Sequence, residues 1–249
     1  MNKKMTTNKA AAQGAAWNTD GDRVAAGPTR TELVMILDKS GSMAGVVTDT
    51  IGGFNAMVAK QKAEAGAGIC HVSTVLFDDD VEILHNRVDI RNVQPMTERE
   101  YRIGGSTALL DAVGLAIQHH VRVQRYAAPD ERADKVVFVV ITDGYENASR
   151  QFTFEQVRQM VQHEQAKYGW EFLLLGANID TVAMASGLGV RADRAASYHC
   201  DGKGVAENFD GISKAVSNLR RRKALEAADA RGETWRTQID RDYAARKPR

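Results

Sequence analysis

The chain has almost no surplus of charge of either sign: 33 Lys and Arg against 32 Asp and Glu leave a formal net charge of +1 over 249 residues. That balance does not advertise a nucleic-acid or membrane partner, and any such partner has to be met by a local patch. Cysteine is scarce. The two thiols, Cys70 and Cys200, cannot build a disulfide framework, and neither stands in a CxxC pair suited to zinc or redox work. Both are expected to be buried, as free cysteines commonly are. Trp17, Trp170 and Trp235 are too scattered for a base-stacking platform. No stretch approaches the roughly 18 consecutive uncharged apolar residues of a membrane-spanning helix. The N-terminal region also lacks the compact apolar run of a secretory signal, so a cytoplasmic location is expected. Enzyme signatures are missing too: there is no GxxxxGK(S/T) loop, no GxSxG elbow, and no histidine in a recognisable pattern with a nucleophile. His71, His119, His120, His163 and His199 show no metal-ligand spacing and read as surface or core residues.

What the chain does have is alternation. Residues 1–30, rich in Ala, Asn, Thr and Gly, predict a flexible arm. From Thr31 the pattern turns into the continuous apolar run Leu33–Leu37, which a strand covered on both faces requires. Val47, Ile51, Phe54 and Val58 then recur at helical spacing, ending near Gly66 to Gly68. Ile69 to Phe77 and Val81 to Ile90 predict a hairpin with an antiparallel edge strand, joined through the turn Asp78-Asp79-Asp80. Thr97 and Glu100, three apart, suggest a capping box and a short helix. Leu110, Val113, Ile117 and Val121 mark the next helix and Val136 to Ile141 the next buried strand. Thr153 and Gln156 cap a helix expected to bury Phe154, Val157 and Val161. Phe172 to Leu175, a helix around Asp180 to Ser186, a weak strand near 195–199 and a helix from about Val205 follow. The fold class this implies is α/β: a doubly wound, mostly parallel sheet of about six strands, one antiparallel edge strand, and helices on both faces. The domain is expected over residues 31–219. Residues 220–249, with ten basic against five acidic residues interspersed, predict a charged, solvated helical extension.

Three loops carry the chemistry. The first buried strand runs into Asp38-Lys39-Ser40-Gly41-Ser42-Met43, which gathers a carboxylate and two hydroxyls at a strand's carboxyl end, where open α/β sheets bind ligands. Gly104-Gly105-Ser106-Thr107 places a further hydroxyl just before a helix, and Thr142-Asp143-Gly144 places a second carboxylate after the later buried strand. Oxygen donors without His or Cys suit a small hard cation, Mg2+ first, with Mn2+ or Ca2+ as alternatives. Ser40, Ser42 and Thr107 can bind directly while Asp38 and Asp143 act through water. Few negative charges then touch the ion, and it stays receptive to an incoming carboxylate. Each loop alone is also explained as a helix cap or turn. Asn178 and Asp180 share the same edge and read as helix capping.

At DKSGSM, GGSTALLDA and ITDG the sequence resembles the von Willebrand factor A family. Its metal-ion-dependent adhesion site is a DxSxS motif with a Thr in a second loop and an Asp in a third; here these are Asp38, Ser40, Ser42, Thr107 and Asp143. The resemblance covers roughly residues 31–219 and implies metal-dependent binding of a protein partner that presents a carboxylate. Bacterial-type members that work beside AAA+ ATPases or in stress and resistance clusters widen the range of expected partners. An Mg2+-dependent hydrolase, and binding of nucleic acid or an acidic partner by the basic C-terminal segment, remain the alternatives.

Overall fold

A computed structural model describes residues 28–246 apart from 65 and 67. The arm expected over 1–30 therefore lies outside the described residues but for its last three, and Arg30 already opens a strand. Six strands build one sheet: β1 Arg30–Asp38, β2 Ile69–Phe77, β3 Val81–Asp89, β4 Lys135–Thr142, β5 Glu171–Gly176 and β6 Ala195–Ser197. Their spatial order is β3-β2-β1-β4-β5-β6. Every neighbouring pair is parallel except β2 with β3, the hairpin at one edge. The helices are α1 Val47–Ala63, α2 Leu109–Tyr126, α3 Phe154–Tyr168, α4 Thr181–Leu188, α5 Gly202–Arg220 and α6 Thr237–Ala245.

The apolar run of β1 is continuous because both of its faces are covered. Leu33, Met35 and Leu37 join Phe54 and Met57 of α1 and Val205, Ile212 and Val216 of α5 in one core. Val34 and Ile36 join Leu110, Val113 and Ile117 of α2 and Val157 and Val161 of α3 in the other. Each such side chain taken from water contributes roughly 1.5–3 kcal/mol, which is what sandwiches the sheet between two helical layers.

Several local expectations need correcting. Thr97 and Glu100 do bond, through the Thr97 amide and hydroxyl, but they close a single turn rather than start a helix. The Thr153–Gln156 capping box is present, yet Phe154, at the first position of α3, is 40% exposed, its ring lying beside Gly187 of α4 and outside either core. The charged C-terminal stretch is not one solvated helix. Residues 221–236 form turns that lay Leu225 and Trp235 into the first core, and α6 then packs Ile239 beside them. Cys70 is buried as expected, whereas Cys200 is partly exposed. Among the described residues no helix is long and apolar enough to cross a membrane.

Candidate metal centre

Parallel pairing of β1 with β4, in register from Thr31 with Lys135 to Leu37 with Ile141, brings their carboxyl ends side by side. Asp38 closes β1 and Asp143 directly follows β4, so residues 105 positions apart share one edge by backbone geometry alone. The loop before α2 is stitched to the loop after β1: Gly104 N–H donates to the Lys39 carbonyl at 3.0 Å and Gly41 N–H to the Gly105 carbonyl at 3.2 Å. The acidic triplet closes the β2–β3 turn, with Asp80 N–H donating to Asp78 at 3.0 Å. It also holds the α2 loop, since Asp79 accepts from Ser106 N–H at 2.9 Å. Gly105 sits at φ +64°, and a Cβ there would lie 2.5 Å from the Asp79 carboxylate, so this crossing point requires glycine.

Within this frame Asp38, Ser40, Ser42 and Asp143 form one hydrogen-bonded chain. Asp38 accepts from Ser40 N–H at 2.8 Å through Oδ1 and from the Thr142 hydroxyl at 2.5 Å through Oδ2. Ser42 donates to Asp143 Oδ1 at 2.5 Å, and the two serine hydroxyls are 3.1 Å apart. With the Ser42 proton committed to Asp143, Ser40 is the donor of that last bond, and both serine oxygens keep a free lone pair. Thr107 joins from the third loop. A Cβ on Gly144 would meet Thr107 Oγ1 at 3.2 Å and Ser42 Oγ at 3.7 Å, so the two hydroxyls flank the same backbone position. Asp38 is 1% exposed and Asp143 4%, while Ser42 opens to solvent.

The electrostatics are uncompensated. Neither Asp38 nor Asp143 forms an ion pair with any described residue; Lys39, next in sequence, turns instead to Asp78 at 3.1 Å. Burial raises the Asp38 pKa, the Asp143 charge adds to the rise, and the bonds from Ser40 and Thr142 offset only part of it. Among the described residues no group of three His, Cys, Asp or Glu could hold a metal ion. That agrees with the composition of this donor set, two carboxylates and three hydroxyls, which such a grouping does not count. An oxygen set with two anionic members and no cationic partner fits a small hard divalent ion.

Several supporting residues carried no sequence signal. The Tyr101 hydroxyl donates to the Asp38 carbonyl, pinning the end of β1 from a loop 63 residues away. Asn147 accepts from Thr107 N–H at 2.8 Å, and Glu146 from Leu110 N–H at 2.9 Å, so the loop after β4 caps α2. Asp111 accepts from three consecutive amides, Arg150, Gln151 and Phe152, at 2.8–2.9 Å, which fixes that loop from the other side. Cys200 Sγ lies 3.4 Å from Asp143 Oδ2; burial first, and the Asp143 charge next, push this thiol up to about 12. Asp180 caps α4 by accepting from Ala183 N–H at 2.9 Å, and its own N–H donates to the Tyr145 hydroxyl at 2.9 Å. Neither Asp180 nor Asn178 contacts the five donors.

By sequence, no family model and no curated protein matches the chain. Solved structures do match in three dimensions. A von Willebrand factor type A protein from Catenulispora acidiphila superposes with a TM-score of 0.55 at 15% identity, over 76% of this chain and 43% of that one. The fold is that of von Willebrand factor A domains. The von Willebrand domain of the type V pili tip protein Mfa5 from Porphyromonas gingivalis gives 0.54 at 12% identity, covering 76% of this chain and 95% of that one. Proximal thread matrix protein 1 from the mussel byssus, with a zinc-occupied metal-ion-dependent adhesion site, gives 0.51 at 15% identity, covering 78% and 46%. The chain thus spans less than half the length of the Catenulispora and mussel proteins. Identities this low carry the fold and not the function.

Proposed function

We propose that this von Willebrand A fold is a binding module that holds one divalent cation, Mg2+ by preference, between Asp38, Ser40, Ser42, Thr107 and Asp143. Through that ion it grips a carboxylate on a partner protein. The observation that carries the reading is the pair of buried carboxylates, Asp38 and Asp143, bridged by two serine hydroxyls and left without a cationic side chain. A buried carboxylate is costly unless a cation or several donors meet it, and this one is met only by neutral groups. Bound there, the metal supplies positive charge and an open position for an anionic oxygen. The protein supplies the rest. Asp38 is held by the Ser40 amide and Thr142, Asp143 by Ser42 and Cys200, and Thr107 by Asn147, so the donors are positioned before any ligand arrives.

Binding, not turnover, is the proposed outcome. Ser40, Ser42 and Thr107 face carboxylates or one another, and the hydrogen bonds made by described histidines reach none of them. The zinc-occupied metal-ion-dependent adhesion site of the mussel protein, on a similar fold, supports a metal role. An intracellular partner such as an AAA+ ATPase or a stress-cluster protein stays within this proposal. Calorimetric titration of Mg2+ and Mn2+ tests it: wild type takes up one ion per chain, and Asp38→Ala loses uptake while keeping its circular dichroism. Uptake unchanged in the variant would falsify the reading. Partner capture that resists EDTA places recognition elsewhere on the surface.

A further inference from the structure

Five charged residues line a cavity of about 280 Å³: Lys62, Glu64, Asp89, Arg91 and Arg220. They come from the end of α1, the end of β3 with the turn after it, and the last residue of α5. Ile69, which opens β2, lines it too, so the cavity sits at the amino end of the parallel strands. Asp38 and Asp143 stand at the opposite strand ends. Both acids of the cavity are already engaged. Asp89 is gripped through its two oxygens by the Arg91 guanidinium, at 2.9 and 2.5 Å. Glu64 pairs with Arg221 at 2.6 Å and accepts from the Ser217 hydroxyl at 2.6 Å.

The cations are not. Arg220 is 4% exposed and uses one nitrogen for structure: Nη1 donates to the carbonyl and side-chain oxygens of Gln61, at 2.7 and 2.8 Å, which caps the end of α1. Its Nε is buried without a partner, and Nη2 makes no hydrogen bond with a described residue. Among the described residues the only carboxylate within ion-pair reach of it, Glu64, stands off at 4.0 Å. Lys62 donates to the Val93 carbonyl at 2.7 Å and forms no ion pair with a described residue. Capping α1 needs Nη1 alone, so the rest of the guanidinium is without a structural task. Native proteins rarely leave such buried donors unmet.

We infer that this cavity is a binding site for a small oxyanion, the phosphate or carboxylate group of a low-molecular-weight ligand, held by Arg220 with Lys62 as the second cation. A guanidinium presents neighbouring N–H donors that match two oxygens of a carboxylate or phosphate, and here Nε and Nη2 form such a pair. Lys62 adds a point charge. Three cations against two acids leave the lining with a net charge of +1, and both acids are spent on arginines, so the cavity suits an anion. Its volume lies just below the roughly 300–1,000 Å³ of pockets for drug-sized ligands, which limits the ligand to a small one. The site shares no residue with the metal centre and does not depend on it.

The test is calorimetry on the full chain with inorganic phosphate alone and with acetate alone, at constant chloride and in EDTA, so that no metal contributes. Wild type is compared with Arg220→Met, Lys62→Ala and Lys60→Ala. Lys60 is the control cation: it lies on the same helix but pairs with Asp210 of α5 at 2.9 Å and does not line the cavity. Wild type should take up one anion per chain, and the tighter of the two probes names the group the ligand carries. Affinity should fall about tenfold or more in Arg220→Met and about threefold or more in Lys62→Ala, and stay at the wild-type value in Lys60→Ala. If Arg220→Met does not fold, the outcome rests on Lys62→Ala, whose side chain is exposed, and unchanged affinity there overturns the inference. Wild type that takes up neither probe overturns it as well. So does a folded Arg220→Met that binds like wild type, or a loss in Lys60→Ala as large as in Lys62→Ala, which is the signature of diffuse surface charge.

Discussion

Glu32 and Asp38 stand six residues apart on the same strand, both are almost wholly buried carboxylates, and the fold treats them in opposite ways. Glu32 is gripped by the Arg87 guanidinium, with contacts from 2.7 to 3.2 Å, and by His71 at 3.3 Å. Burial pushes its pKa up, but the bonds from His71 and Arg87 outweigh burial, and the net result is a carboxyl held below its usual value. Asp38 meets only neutral donors, from Ser40 and Thr142, and burial wins. A structural carboxylate on this strand therefore comes with its own cation. On the proposed reading, the one at the strand's carboxyl end is left for a cation that the chain does not carry.

Breaking the compensated side should cost most. Arg87→Met removes the cation and leaves Glu32 charged and 2% exposed, for an expected loss of about 3 kcal/mol of stability in urea titration at pH 7. Arg87 adopts φ 51°, and methionine bears the same backbone penalty as arginine there, so the loss reports on charge. A loss under about 0.5 kcal/mol would mean that water reaches Glu32, and the contrast with Asp38 would fail.

A third carboxylate sharpens the comparison, because a missing counter-ion does not by itself mark a metal centre. Glu164, on α3, is 5% exposed, one of its oxygens has no partner, and burial raises its pKa to about 7 despite Lys167 nearby. Among the described residues no hydroxyl bridges it to a second acid. Since its folded value lies above the unfolded one, the folded state binds the extra proton between about pH 4.5 and 7, and stability falls as pH rises through that window. Glu164→Gln should remove this dependence and stabilise the protein by about 2 kcal/mol at pH 8, with little change at pH 4. Equal stabilisation at both values would point to packing and not charge.

How much of this was readable in advance follows from distance along the chain. The buried strands and the three oxygen-bearing loops announce themselves locally: an apolar run, then a short polar cluster, as in Leu33–Leu37 followed by Asp38, Ser40 and Ser42. The antiparallel edge was legible because a turn of three aspartates separates two strand-like runs. The bracing was not. Arg87 reaches Glu32 across 55 residues and Cys200 reaches Asp143 across 57, and each is one side chain with no local pattern to betray it. The C-terminal stretch misled because its charges alternate as on a solvated helix, while three isolated apolar residues, Leu225, Trp235 and Ile239, decide where it packs. The same limit applies to Phe154, whose spacing matches Val157 and Val161 but whose ring lies beside Gly187 of α4 and stays 40% exposed.

The smallest expected effect is the most diagnostic, because it has the opposite sign to the first. Asp38→Asn keeps shape: its oxygen can still accept from Ser40 N–H, and its new N–H can donate to the Thr142 hydroxyl, which already accepts from Gly144 N–H at 3.2 Å. What changes is charge. Removing a buried anion that lacks a cation, beside the like charge of Asp143, should stabilise the metal-free protein by about 1 kcal/mol at pH 7, measured in EDTA. In excess Mg2+ the order should reverse, because only wild type gains the binding energy of the ion, by RT ln(1 + [L]/Kd). Glu32→Gln, by contrast, strands Arg87 and should destabilise the protein with or without metal. If Asp38→Asn loses stability in EDTA as Glu32→Gln does, then Asp38 is a structural carboxylate like its neighbour on β1. The hydroxyl chain to Asp143 would then be packing and not a metal centre.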